Sequence, residues 1–172
     1  MERLRGSGVW LLMLLLLFAP IGCGRQSLPP DYRDAPFSAR IGWEENGEEL
    51  EARVIRGADG EVVLELLEPE GLRGITLVSV GGRLLIRCGE TEMDGSPWEP
   101  LFSVTELLLP RGERRAVCQT KWEGEDVLYV EIEQTEIELY VDMESGIPKE
   151  IRRGGRALRI LSFEMLEREG ET

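Results

Sequence analysis

The sequence has no histidine, three cysteines and few aromatic residues, 6% of the whole. Without histidine, the commonest general base and the commonest metal ligand are both missing. The cysteines, Cys23, Cys88 and Cys118, are spaced too widely for the close pairs of zinc or redox motifs. No serine sits in a nucleophile elbow. Basic residues are also scarce: 20 Lys and Arg face 33 Asp and Glu, for a formal net charge of −13. Such a balance excludes a nucleic-acid binder, whose basic groups must neutralise phosphates. It also opposes lying flat on an anionic membrane. The carboxylates alternate with apolar residues, as a solvated sheet face demands, and do not group as an acid and a base. The expectation is a protein with no catalytic set, no cofactor and no metal, and not an enzyme. The acidic turn Glu123 to Asp126 is a candidate calcium site, set against the plainer reading of a charged hairpin tip.

Long apolar runs are absent except at the start. Glu2, Arg3 and Arg5 precede an unbroken apolar run from Val9 to Phe18, followed by Ala19, Pro20, Ile21, Gly22 and Cys23. A basic start, a short apolar middle and small residues before a break are the parts of an export signal. The run is shorter than the roughly twenty residues that span a bilayer. Residues 1–22 are therefore predicted to be a signal peptide, with the mature chain beginning at Cys23.

Ile21, Gly22 and Cys23 resemble the lipobox of bacterial lipoproteins, although Pro20 stands where that pattern prefers Leu. The resemblance implies a diacylglyceryl group on the Cys23 thiol and cleavage just before it. The chain would then be lipid-anchored to the cell membrane or outer membrane, facing outside the cytoplasm. The alternative is an ordinary signal peptide with a spare cysteine. Cys88 and Cys118 remain as a candidate disulfide, plausible outside the cytoplasm. It would close a loop of about thirty residues, worth roughly 3–4 kcal/mol in the chain-entropy view. The alternative is two thiols buried as small hydrophobes.

Residues 24–36 contain Pro29, Pro30 and Pro36 and have no apolar period, which predicts an extended tether. From Phe37 the period becomes two. Phe37, Ala39, Ile41 and Trp43 share one face of a strand, and Asn46-Gly47 is a strong hairpin signal. Strands follow over 48–56, 61–67, 75–80 and 83–88, separated by Gly- and Pro-containing turns. The stretch Trp98 to Leu109 places Trp98, Leu101, Phe102, Thr105, Leu108 and Leu109 at spacings of three and four, between Pro97 and Pro110. This predicts one helix, too apolar to stand alone. Strands resume over 113–122, 127–133, 136–142, 147–153 and 156–168, the last alternating Leu161, Phe163 and Met165. About nine or ten strands and one helix result, a mainly β domain over 37–168.

The run Glu138-Leu139-Tyr140-Val141-Asp142, then Ser145-Gly146-Ile147-Pro148-Lys149, then Ile160 to Phe163, resembles the half-barrel superfamily of LolA, LolB, LppX and LprG. Leu67 to Gly74, with Pro69 and Leu72, is similar to that family's mid-sheet connection. Small lipoproteins of spore-forming bacteria, one serving in germination, share the form. The resemblance implies a curved antiparallel sheet, an open half-barrel covered by a lid helix, enclosing acyl chains. The apolar face Phe37, Ile41, Trp43, Leu50, Val54, Leu77, Ile86, Leu128, Val130 and Phe163, with Trp98, Leu101 and Phe102 of the lid, is the candidate lipid-binding surface. If the lid only covers the hollow, a pocket of ligand size remains. If it fills the hollow, the face is a plain core. Two functions correspond: a tethered module holding lipid or a lipoprotein, or an envelope adaptor with a filled core that docks a protein partner.

Overall fold

The structure, a computed structural model, describes residues 27–166. The expected export signal, Cys23 and the last residues of the expected domain lie outside that range. Among the described residues, no helix is long and apolar enough to cross a membrane.

Among the described residues, eleven strands form one antiparallel sheet in the order β6-β5-β4-β3-β2-β1-β11-β10-β9-β8-β7. They are β1 Phe37–Glu45, β2 Glu48–Arg56, β3 Val62–Glu68, β4 Thr76–Val80, β5 Arg83–Cys88, β6 Thr91–Asp94, β7 Arg114–Trp122, β8 Glu125–Ile132, β9 Ile137–Asp142, β10 Pro148–Arg153 and β11 Arg156–Met165. Each meander, β1–β6 and β7–β11, pairs strand to next strand. The two halves join where β1 lies antiparallel to β11, with Phe37 opposite Met165 and Trp43 opposite Leu158. Asn46 and Gly47 both take positive φ, 56° and 83°, as a two-residue hairpin turn requires.

The position of the helix follows from this order. The chain leaves β6 at one sheet edge and must enter β7 at the other, so the connection crosses the hollow face. On the way it forms α1, Glu99–Phe102, and α2, Val104–Leu108. The result is a curved, unclosed sheet with a helical cover, the half-barrel form that the LolA likeness implies.

Three local readings differ from the sequence expectation. β6 leaves no mark in the sequence pattern, because all four of its residues are exposed and show no apolar alternation. The predicted single helix breaks at Ser103, whose hydroxyl donates to the Pro100 carbonyl at 2.6 Å, while Pro100 sits in the first turn of α1 without an N–H to continue the ladder. In β11 a register shift opposite Arg40/Ile41 changes the phase of the strand. Leu158, Ile160 and Phe163 consequently face inward, and Leu161 is 47% exposed.

The segment read as a tether is partly docked. Asp31 caps a 3-10 turn, Tyr32–Asp34, and Tyr32 is 2% exposed within the core. Its ring meets Phe37 and Phe163 edge-on at centroid distances of 6.1 and 5.7 Å. Gly146, at φ +71°, lets the Pro30 backbone pass so closely that a Cβ there would run into its carbonyl oxygen.

Candidate functional site

The thirteen residues expected to line a lipid pocket do come together. Phe37, Ile41, Trp43, Leu50, Val54, Leu77, Ile86, Leu128 and Val130 are buried in one cluster, and Trp98, Leu101, Phe102 and Phe163 pack half-buried against it. The hollow they form is occupied. Val104, Leu107 and Leu108 of α2 enter the same cluster at 4%, 5% and 0% exposure, and Tyr32 joins from the N-terminal side. The lid is therefore also the filling. Alternation along each strand explains why these side chains share a face: β2, for example, buries Leu50, Ala52 and Val54 and turns Glu49, Glu51 and Arg53 outward.

The N-terminal turn holds that filling in place. The last carbonyls of a helix have no partner within it, and here the turn supplies them. The Tyr32 hydroxyl donates to the Leu108 carbonyl at 2.6 Å. Arg33 Nη1 donates to the carbonyls of Pro110 and Gly112, fixing the loop that follows α2. Asp31 orients Arg33 by accepting from its Nε at 2.9 Å and its Nη2 at 2.7 Å. It also pairs with Arg114 Nε at 3.0 Å. Arg114 Nη2 in turn donates to the Pro29 carbonyl at 2.7 Å. Burial pushes the Asp31 carboxyl up, but the Arg33 hydrogen bonds and the Arg114 and Arg33 charges outweigh it and hold the group below its ordinary value. Burial pushes the Tyr32 phenol well up, so it remains a donor at physiological pH. Sequence reading missed all of these residues. The available signal was Asp31 ahead of an aromatic in a Pro-rich stretch, a capped turn rather than a free tether.

A cleft of about 880 Å³ opens along α2 and the N-terminal turn. It is lined by Arg33, Arg56, Arg111 and Arg153 together with Asp34 and Glu106, and by apolar side chains that include Val62, Leu109 and Ile137. Arg56 and Arg153 continue the inward register of Val54 and Ile151 to the ends of β2 and β10, so the concave face changes there from apolar to cationic.

The expected pairing of Cys88 and Cys118 is not what the structure shows: both are free and exposed. The two strands lie toward opposite ends of the sheet order. Cys88 shares the parity of inward-facing Ile86, whereas Cys118 lies opposite Tyr129, on the outer side of β8 from buried Leu128 and Val130. Two thiols on opposite faces cannot meet the short Cβ separation that a disulfide needs. The alternative, burial as small hydrophobes, does not describe them either. At the acidic turn Glu123 to Asp126, Glu123 and Gly124 carry positive φ in a tight hairpin. Among the described residues no group of three or more Cys, Asp or Glu is placed to hold a metal.

No known protein family matches the chain, and no curated protein does. Solved structures do. An uncharacterised conserved protein from Thermus thermophilus is 15% identical over 78% of this chain and 80% of its own, with a TM-score of 0.51. That likeness shows a shared fold. MucB, solved alone and in complex with MucA from Pseudomonas aeruginosa, is 19% identical over 81% of this chain at a TM-score of 0.48, and this chain spans 56% of its length. The LolA superfamily protein NE2245 from Nitrosomonas europaea is 10% identical over 83% of this chain and 90% of its own, at 0.40.

Proposed function

We propose that this chain is a membrane-tethered docking module of the cell envelope, carried outside the cytoplasm by a lipid on Cys23 and presenting its half-barrel to a protein partner. The observation that supports this reading is the filled hollow. A carrier must keep apolar volume free for an acyl chain, since burial of methylene groups, about 0.8 kcal/mol each, is what would hold it. Here Val104, Leu107 and Leu108 already take that place. The cleft that does open is charged, and suits recognition of a polar chain better than storage of an oily one. The module performs no chemistry in this reading. Crosslinking of the full chain in its native membrane, followed by purification, tests it. A protein recovered in stoichiometric amount is expected. Recovery of bound lipid with no protein would refute it.

A second reading, lipid holding, is favoured by the construction of the lid. Its helices are four and five residues long and part at Ser103, and Trp98, Leu101 and Phe102 are only half-buried. So short a cover has little stability of its own. Swinging it aside would uncover Phe37, Ile41 and Leu77. Native mass spectrometry of the full chain, with and without added fatty acid, separates the two readings.

A further inference from the structure

On a chain of net charge −13, one concave place is lined by four arginines against two carboxylates. Elsewhere on the sheet several arginines are matched to a neighbouring glutamate, as in Arg40–Glu51, Arg53–Glu65 and Arg115–Glu131, while Arg83 and Arg159 stand singly on β5 and β11. What distinguishes the cleft is that four arginines share one concavity. Arg33 spends its donors on Asp31 and on the Pro110 and Gly112 carbonyls, and Arg56 gives one to the Ala35 carbonyl. Arg111 and Arg153 are exposed and hold none of the hydrogen bonds or ion pairs found among the described residues. Arg111 and Arg153 differ from the equally unmatched Arg83 and Arg159 in sharing a cleft with two further arginines, which gives an acidic chain one concave cationic place for an anion from outside.

We propose that this cleft binds an extended acidic segment of a protein partner, its spaced Asp or Glu side chains meeting Arg111 and Arg153 and the apolar side chains between them meeting Val62, Leu109 and Ile137. The proposal rests on the docking reading and gives it a place and a chemistry. The arrangement of the charges favours a peptide over a compact anion. Arg56 ends β2 and Arg153 ends β10, with β1 and β11 between them in the sheet, and Arg111 follows the helix. The arginines thus start from separate strands and a loop along the cleft, and no single loop gathers them. Asp34 and Glu106 also stand among them, which penalises a dense charge such as phosphate more than isolated carboxylates. Guanidinium groups are the natural partners of carboxylates because their planar donors match both oxygens.

The test is fluorescence anisotropy of the full chain at low salt with a labelled peptide of alternating Glu and Leu, and with its Lys and Leu counterpart. The acidic peptide should bind and the basic one should not. The double variant R111E/R153E should weaken acidic-peptide binding about tenfold or more, while R83E/R159E, the same charge change at exposed arginines outside the cleft, should stay within about twofold. No binding of the acidic peptide, or an equal loss in both double variants, would overturn the proposal. So would displacement of the peptide by inorganic phosphate beyond that caused by chloride at equal ionic strength. Self-association that disappears in R111E/R153E would assign the cleft to a second copy and overturn the peptide reading. A partner crosslinked equally by wild type and R111E/R153E would leave the docking reading standing and overturn this site alone.

Discussion

The bond from Tyr32 to the Leu108 carbonyl can be tested by removing one atom. Tyr32→Phe deletes the hydroxyl and keeps the ring, so the edge-on contacts with Phe37 and Phe163 remain. What changes is the state of a carbonyl at the end of α2. Tyr32 is 2% exposed and Leu108 0%, so water has little access to replace the lost donor. A buried polar group left unpaired costs about 1–3 kcal/mol. For a chain of this size each kcal/mol moves the melting temperature by about 2–4 °C, so a fall of about 2–12 °C is expected. The loss should also be localised. Hydrogen exchange of the Glu106 and Leu109 amides, bonded to Ser103 and Thr105 within the cover, should quicken more than that of β1 or β2. An unchanged melting temperature together with unchanged exchange over 104–109 would refute the idea that the N-terminal turn clamps the lid.

Acid should release the same clamp. The folded Asp31 carboxyl titrates below its ordinary value, so its contribution is complete above about pH 4 and is lost as pH falls through the folded value. Asp31→Asn should abolish that part of the pH dependence of stability, followed by denaturant melts between about pH 2 and 6. Asp142 behaves likewise, held down by hydrogen bonds from the Ser145 backbone and hydroxyl, and Asp142→Asn should loosen the β9–β10 turn already at neutral pH and remove its further loosening in acid. Gly146→Ala places a Cβ against the Pro30 carbonyl at a strained φ, so it should cost about 1–3 kcal/mol and expose residues 29–34 to protease. Cys88 and Cys118 should both react with a thiol reagent in the native protein without reductant, and C88S/C118S should change stability by under about 1 kcal/mol. Two unreactive thiols would restore the disulfide.

What the sequence made legible was whatever repeats locally. Period-two alternation located ten of the eleven strands, and Asn46-Gly47 located a turn, because these signals depend on a few adjacent residues. The thirteen pocket candidates converged for the same reason: each was read as the inward half of an alternating strand or as one face of the lid. Features set by distant partners were not legible. Tyr32 is a lone aromatic among prolines, and only the proximity of Phe37, Phe163 and Leu108 makes it core. The cysteines are suitably separated along the chain, yet strand parity puts them on opposite faces. Arg56, Arg111 and Arg153 lie at two strand ends and in a loop, and only the sheet order brings them to one cleft.

The two proposed readings, docking and lipid holding, make different demands on one segment. The connection from β6 to β7 has to cross the concave face, since its ends belong to opposite sheet edges. In this chain its second helix drives Val104, Leu107 and Leu108 into the hollow. Shortening those side chains removes the filling and keeps the crossing. L107A/L108A should cost about 2–5 kcal/mol for each buried leucine if the space does not collapse, and it should leave an apolar void between lid and sheet. If filling alone separates a docking module from a carrier, the double variant should take up a fluorescent fatty acid that the wild type ignores. Uptake by the wild type to the same extent would show that the lid already yields to lipid, and would move the balance to the carrier reading. A folded variant that remains dry and binds nothing would show that the volume vacated by α2 is not what an acyl chain requires.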